Sequence, residues 1–296
     1  MEQNKDYKYK NLNLDNILGQ EFKILDKGFI RVIDYMGGDD SIVQSARVSY
    51  GKGTKSSLDD ESLIRYLMRH KHTTPFEMCE IKFHIKAPIF VARQWLRHRT
   101  ANVNELSARY SIMDDDYYIP QISEIKKQSK SNKQGRGESF SMEESQKIID
   151  ILENTSRHCF NVYDDLIENK DFAKELARGI LPVNLYTQFY WKIDLHNLFH
   201  FLKLRVDSHA QYEIAEYGRK MLDILKIWTP VACKAFLDYS VNSYTFCEEE
   251  LNLIRQAIDV DKLKNLNTSL SKRELENFKQ ILHINDTLKY TNDTLK

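Results

Sequence analysis

The 296-residue chain is short of the features by which many proteins declare their chemistry. Its four cysteines, Cys79, Cys159, Cys233 and Cys247, lie far apart with no C-x-x-C spacing. That leaves no disulfide framework to read and suits reduced, buried thiols in a reducing compartment. Charge of either sign in excess is also missing, since 43 basic residues balance 43 acidic ones. A protein that coats nucleic-acid backbone usually carries a basic surplus, so no nucleic-acid partner is expected. The longest clean apolar run is Ala-Pro-Ile-Phe-Val-Ala at 87–92, far too short to span a bilayer. The polar first residues lack the apolar core of a signal peptide, so no membrane partner and a cytoplasmic location are expected.

The common nucleotide and hydrolase motifs are absent as well. There is no G-x-x-x-x-G-K-[ST], no G-x-G-x-x-G after a strand, no G-x-S-x-G and no H-E-x-x-H. A nucleotide, if bound, must therefore be held by side chains. His196 and His200 are spaced i, i+4, but without a carboxylate in the zincin order no metal is expected.

The residues that are present predict an α/β (α+β) domain: a mixed β-sheet flanked by helices, with helical additions in the C-terminal half. Residues 1–27, polar and Asn/Lys-rich, read as a flexible arm. Residues 28–36 read as a strand, and 79–86 alternate cleanly, Ile81, Phe83 and Ile85 against Lys82, His84 and Lys86. Residues 125–140, rich in Lys, Ser and Gly, read as a mobile loop. Ser141 with Glu144 is a capping box opening a helix to about residue 167, and Ser271 with Glu274 opens another in the tail. The main domain is placed at 28–246 and a helical extension at 247–296.

One stretch stands out against the neutral background. Residues 93–111 (RQWLRHRTANVNELSARYS) place Arg93, Arg97, Arg99, Arg109 and His98 around a single acid, Glu105. Arg93 and Arg97 are read onto one helix face, and the residues after His98 as irregular backbone. Guanidinium forks bind phosphate bidentately; Gln94, Asn104, Glu105 and Ser107 suit a polar ring. A solvated charged face is the commoner fate of an arginine cluster, but Trp95, Leu96, Val103, Leu106 and Tyr110 point to partial burial. Two smaller clusters, 72–77 (HTTPFE) and 205–211 (RVDSHAQ), add His72 and, at a helix break, Arg205, Asp207, Ser208, His209 and Gln211. Together they offer the parts of a large polar site for more than one anionic ligand. An RNA-binding scaffold is the alternative, disfavoured by the neutral composition.

The stretch 97–110 (RHRTANVNELSARY) resembles the signature of the flavin-dependent thymidylate synthases. The blocks HTTPFE, KAPIFVARQWLRHR, YYIP, LPVNLYT and LRVDSHAQYEI look like the remaining blocks of that family in the same order, over about residues 28–244. The resemblance implies that dUMP is methylated to dTMP, with 5,10-methylenetetrahydrofolate as carbon donor and FAD, reduced by NADPH, as hydride source. It also implies a homotetramer whose active sites are shared between subunits. At dUMP positions stand Gln94, Arg97, Glu105, Ser107, Ala108, Arg109, Arg178 and Arg205. At FAD positions stand Thr74, Arg97, His98, Arg99, Glu105, Asp194, His196 and His200, with His209 nearby. Arg205, His72 and Ser107 match residues of catalytic importance. This chain has Asn102 where the signature commonly has Ser, His200 where Asn is common, and Asp194 to His196 in place of an N-x-R segment. A cysteine-nucleophile synthase would need an activated thiol beside arginines, and none of the four cysteines has that context.

Overall fold

A computed structural model describes residues 10–48, 59–130, 135–259 and 267–283. Two compact units are present, 1–242 and 243–296.

The first unit is built on a five-stranded sheet. Its strands are β1 (Phe22–Ile24), β2 (Gly28–Met36), β3 (Glu80–Pro88), β4 (Asn102–Glu105) and a late strand, Tyr186–Asp194, in the spatial order β1-β2-β3-late strand-β4. All these pairings are antiparallel; an isolated bridge, Leu18↔Val32, is parallel. Alternation in the sequence decides the faces. Ile81, Phe83, Ile85 and Ala87 of β3 are all buried, as are Phe189, Trp191 and Ile193 of the late strand. The helices α1 (Leu12–Asp15), α2 (Asp39–Val48), α3 (Asp60–Arg69), α4 (Thr74–Glu77) and α5 (Ile89–Trp95) belong to the first half of the unit. Two further strands, β5 (Lys126–Gln128) and β6 (Arg136–Ser139), form a separate hairpin, so part of the expected loop at 125–140 is ordered by cross-strand pairing. Then come α6 (Met142–Glu168), α7 (Lys174–Ala177), the late strand β7, α8 (Leu195–Arg205), α9 (Tyr212–Trp228) and α10 (Pro230–Phe236). The α+β architecture expected from the sequence is the one observed. Among the described residues, no helix is long and apolar enough to cross a membrane.

An aromatic joint fixes α5 against the sheet. Trp95 is fully buried and meets Phe189 at 5.5 Å, Trp191 at 5.4 Å and Tyr217 at 5.6 Å between ring centroids, each near perpendicular. Edge-to-face pairs of this kind add to the gain from area burial alone. A second, smaller core gathers Met113, Tyr117, Phe160, Tyr163, Ala177 and Leu185 beneath α6.

The turn from β2 into α2 needs a glycine. Gly37 has φ +77°, and a Cβ there would stand 2.9 Å from the Cys79 Sγ. Its carbonyl accepts a hydrogen bond from the Trp228 indole at 2.7 Å. Asp39, two residues on, accepts from the backbone N–H groups of Val231 (2.9 Å) and Ala232 (3.0 Å) at the start of α10.

The described part of the expected arm is packed. Asn11 caps α1 through the N–H groups of Asn13 and Leu14 and donates its own amide to the carbonyls of Ile227 (3.0 Å) and Trp228 (3.1 Å). Leu14 is fully buried in the main core, and β1 pairs with β2. A polar composition hid apolar anchors, Leu14 and Ile24, and a side chain that satisfies a helix end.

The second unit contains helices Glu248–Ala257 and Lys272–Ile281. The expected capping box at Ser271 and Glu274 is formed, and Arg255 donates to the carbonyl of Ile281 at 2.8 Å.

Leu14→Ala should cost about 3 kcal/mol of stability, the usual penalty for emptying a closed core site. Urea unfolding of the full chain checks this: a loss below about 0.5 kcal/mol would fit an unpacked arm.

Candidate active site

The arginine-rich stretch begins where α5 stops. The helix ends at Trp95 with Leu96 as its C-cap, so Arg97 lies just past the helix and does not share a face with Arg93 as the spacing predicts. The chain then re-enters the sheet. Asn102 to Glu105, expected to be irregular, form β4 against β7, with Glu105 opposite Phe189. As an edge strand it leaves Val103 and the following Leu106 and Tyr110 exposed, so of the flanking apolar residues Trp95 alone is deeply buried.

Arg205, the last residue of α8, faces this turn. Its guanidinium lies 5.6 Å from the Phe201 ring, and one Nη donates to the Gln94 carbonyl at 3.4 Å. Its Nε and the Gln94 Oε1 are buried without any partner. Burial, and then the neighbouring Arg97, push its pKa down. Among the described residues, none of Arg93, Arg97, Arg99 and Arg205 has a carboxylate partner, whereas most other arginines in the unit do. A half-buried cation beside a second cation is costly unless an anion comes to it. The donors present therefore fit a phosphate or another anionic group.

Next to this pair lies a histidine cluster. His98 meets His200 at 5.4 Å and Phe201 at 5.5 Å between ring centroids, and shares a 3.0 Å hydrogen bond with the Thr100 hydroxyl. Burial, followed by the charges of His200 and Arg205, lowers its pKa. His196 and His200 lie along α8, whose first turn is capped by Asp194 through the Asn197 N–H at 2.9 Å. With His72, Lys203, Phe76 and Phe199 they line a cavity of about 280 Å³. A second cavity of about 850 Å³ shares the His72–Thr73 corner and adds Thr74, Ser45 and Tyr66. Both cavities are lined by apolar side chains mixed with a few polar ones, the usual makeup of a small-molecule site.

The remaining expected residues gather elsewhere. Arg109 pairs with Glu175 at 3.4 Å, and Arg178 donates its Nε to the Glu175 carbonyl at 3.1 Å. Ser107 accepts from the Arg109 N–H at 3.4 Å, and Ala108 packs on the second core. Among the described residues no hydrogen bond or ion pair joins this group to Arg97 or Arg205. Glu105 accepts from the Thr187 hydroxyl at 2.7 Å. His209 is exposed and turns back onto Asp207 at 2.9 Å. Lys203 was missed from the sequence, although its i, i+3 spacing from His200 places it on the same helix face.

The cysteines stand apart from this chemistry. Burial pushes the Cys79 thiol up to about 12 and the Cys233 thiol up to about 11. Neither is a thiolate at neutral pH.

Comparison with known proteins agrees with this geometry. A family described as "Thymidylate synthase complementing protein" matches residues 31–231. The flavin-dependent thymidylate synthase of Wolbachia pipientis wMel is 57% identical over 269 residues, covering 91% of this chain and 94% of that protein. The one from Ehrlichia ruminantium (strain Gardel) is 52% identical over 269 residues, covering 91% and 90%. Among solved structures, the UMP/dUMP methylase PolB from Streptomyces cacaoi, bound with 5-Br dUMP, aligns with a TM-score of 0.67 at 29% identity, covering 75% of this chain and all of that one.

Fold, cationic cleft and relatives together define a methyltransferase enzyme. The chain belongs to the family of flavin-dependent thymidylate synthases.

A histidine whose folded pKa is depressed binds its proton more readily when unfolded, so folding loses stability as pH falls below the ordinary value of 6.5 towards the folded one. His98→Asn should therefore flatten part of the acid limb of a stability–pH curve below 6.5 while leaving stability above pH 7 little changed. Thermal unfolding between pH 5 and pH 8 measures it; an unchanged acid limb would mean that the His98 pKa does not differ between the folded and unfolded states.

Proposed function

We propose that this enzyme converts dUMP to dTMP, taking the carbon from 5,10-methylenetetrahydrofolate and using FAD reduced by NADPH. The observation that carries this reading is the half-buried Arg205, flanked by Arg97 and left without a carboxylate. Such a pair is built for an anion, and the family's name gives a flavin and a nucleotide product.

In this reading Gln94, Arg97 and Arg205 hold dUMP from one side, and Glu105, Ser107, Ala108, Arg109 and Arg178 from the other. Arg205 set beside the uracil ring stabilises negative charge there and favours the N3-deprotonated form. Ser107 positions the nucleotide and does not attack it. Thr74, Arg97, His98, Arg99 and Glu105 hold the flavin, with Asp194, His196 and His200 toward its adenine end and His209 close by. When bound, the flavin supplies the hydride and the folate supplies the one-carbon unit. His72, which lines both cavities, would act between the two ligands. No cysteine acts as nucleophile, in keeping with thiols raised to about 12 and about 11.

A homotetramer with shared sites fits the same facts. The Ser107, Arg109 and Arg178 group of one copy would complete the Gln94, Arg97 and Arg205 group of another. Support comes from the absence of bonds between the groups among the described residues, and from Val103, Leu106 and Tyr110 left exposed beside them. Residues 28–246 carry the reaction, and the helical extension 247–296 stands outside it. The reaction belongs in the cytoplasm, where reduced nicotinamide and thiols are maintained.

The purified protein should be yellow and should oxidise NADPH faster when dUMP is added. Arg205→Ala should keep its flavin spectrum while dUMP-dependent turnover falls by about 100-fold or more, the usual cost of removing a preorganised charge. Full activity in that variant would show the arginine role to be misassigned. Alanine at each cysteine in turn should leave turnover in place, and loss of the reaction at one of them would restore a thiol mechanism.

A further inference from the structure

Glu105 is asked to serve two ligands, yet it sits on a short edge strand whose four residues are all exposed. A free glutamate there would move among rotamers, and among the described residues no cation pairs with it. What holds it is a hydroxyl. Thr187, on the central strand β7, is 2% exposed and donates Oγ1–H to Glu105 Oε1 at 2.7 Å. Its backbone is fixed on both sides. Thr187 stands opposite Ala87 of β3, and two residues on, Phe189 stands opposite Glu105 itself. The ladder continues through Leu106, whose N–H donates to the Gln188 carbonyl at 2.8 Å. A β-branched side chain on a laddered strand has little χ1 freedom, so the donor is stationary and the acceptor comes to it.

We infer that Thr187 is a positioning residue for nucleotide binding: it pins one oxygen of the Glu105 carboxylate so that the other is presented to the ligand. The inference rests on the reading of Glu105 as a dUMP contact. A hydrogen bond to an ionised acceptor is among the stronger ones in proteins, and preorganising one lowers the ordering cost of binding.

Thr187→Val keeps shape and burial while removing the donor. In the purified full-length chain, dUMP affinity by calorimetry and KM for dUMP should both weaken about tenfold, with kcat at saturation little changed. Thr187→Ser should restore both constants. In a Glu105→Ala background, Thr187→Val should weaken dUMP binding no further, because the two act as one unit. Should the valine chain fail to fold, Thr187→Cys carries the same test. Unchanged dUMP affinity in Thr187→Val, failure of serine to rescue, or additive losses in the double variant each overturn the positioning role while leaving the proposed reaction intact. A wild-type chain that binds flavin but no dUMP overturns both.

Discussion

The joint between α5 and the sheet is the constraint on which the rest depends. Trp95 fills the angle between Phe189, Trp191 and Tyr217, so the helix can neither rotate nor slide without opening the main core. Close-packed interiors transmit such constraints with little slack. Gln94 and Arg97, one residue before it and two after, therefore emerge at a fixed place opposite the end of α8. Arg205 reaches the same place from the other side, its guanidinium over the Phe201 ring. Cations that repel one another are kept together by aromatic packing that has nothing to do with charge.

That separation of duties explains how a neutral chain carries a strongly positive site. Elsewhere in the first unit, cations meet carboxylates on the surface: Arg47 with Asp60, Arg65 with Asp238, Arg157 with Glu153. Exposed pairs like these add little stability, but they use up charge that would otherwise reach across the surface. The arginines around α5 are exempt from such pairing among the described residues, so their charge is left uncompensated beside Arg205. Preorganised charge of this kind costs nothing further at the moment of reaction.

Much of this was legible in the sequence. The alternation of β3, the two Ser/Glu capping boxes and the run from Arg93 to Tyr110 each carry a local signal. The strand and both caps form as expected, and Arg93, Arg97, His98 and Arg99 do lie at the end of α5, while Arg109 pairs with Glu175 elsewhere. The packed start of the chain was not legible, because its apolar residues are scattered among polar ones and its anchor, Asn11, bonds to Ile227 and Trp228 more than two hundred positions away. Nor was β4: an edge strand with four exposed side chains has no apolar face to betray it. The cavity beside His72 is formed by Phe76, Phe199 and Phe236 from three separate helices, and such convergence exists only after packing. Thr187 was hidden for the same reason, since a buried threonine in a strand looks like filler until its partner across the ladder is known.

The bond from Trp228 to the Gly37 carbonyl spans 191 positions. The turn that launches α2 is therefore completed by a residue synthesised long after it. A ribosome that has released β2 and β3 but not yet α9 holds out an unfinished sheet, with Ile81, Phe83 and Ile85 awaiting their cover. Until the second half of the chain emerges, that apolar ribbon is available to chaperones or to neighbouring nascent chains, and the time to translate the intervening segment sets how long the exposure lasts.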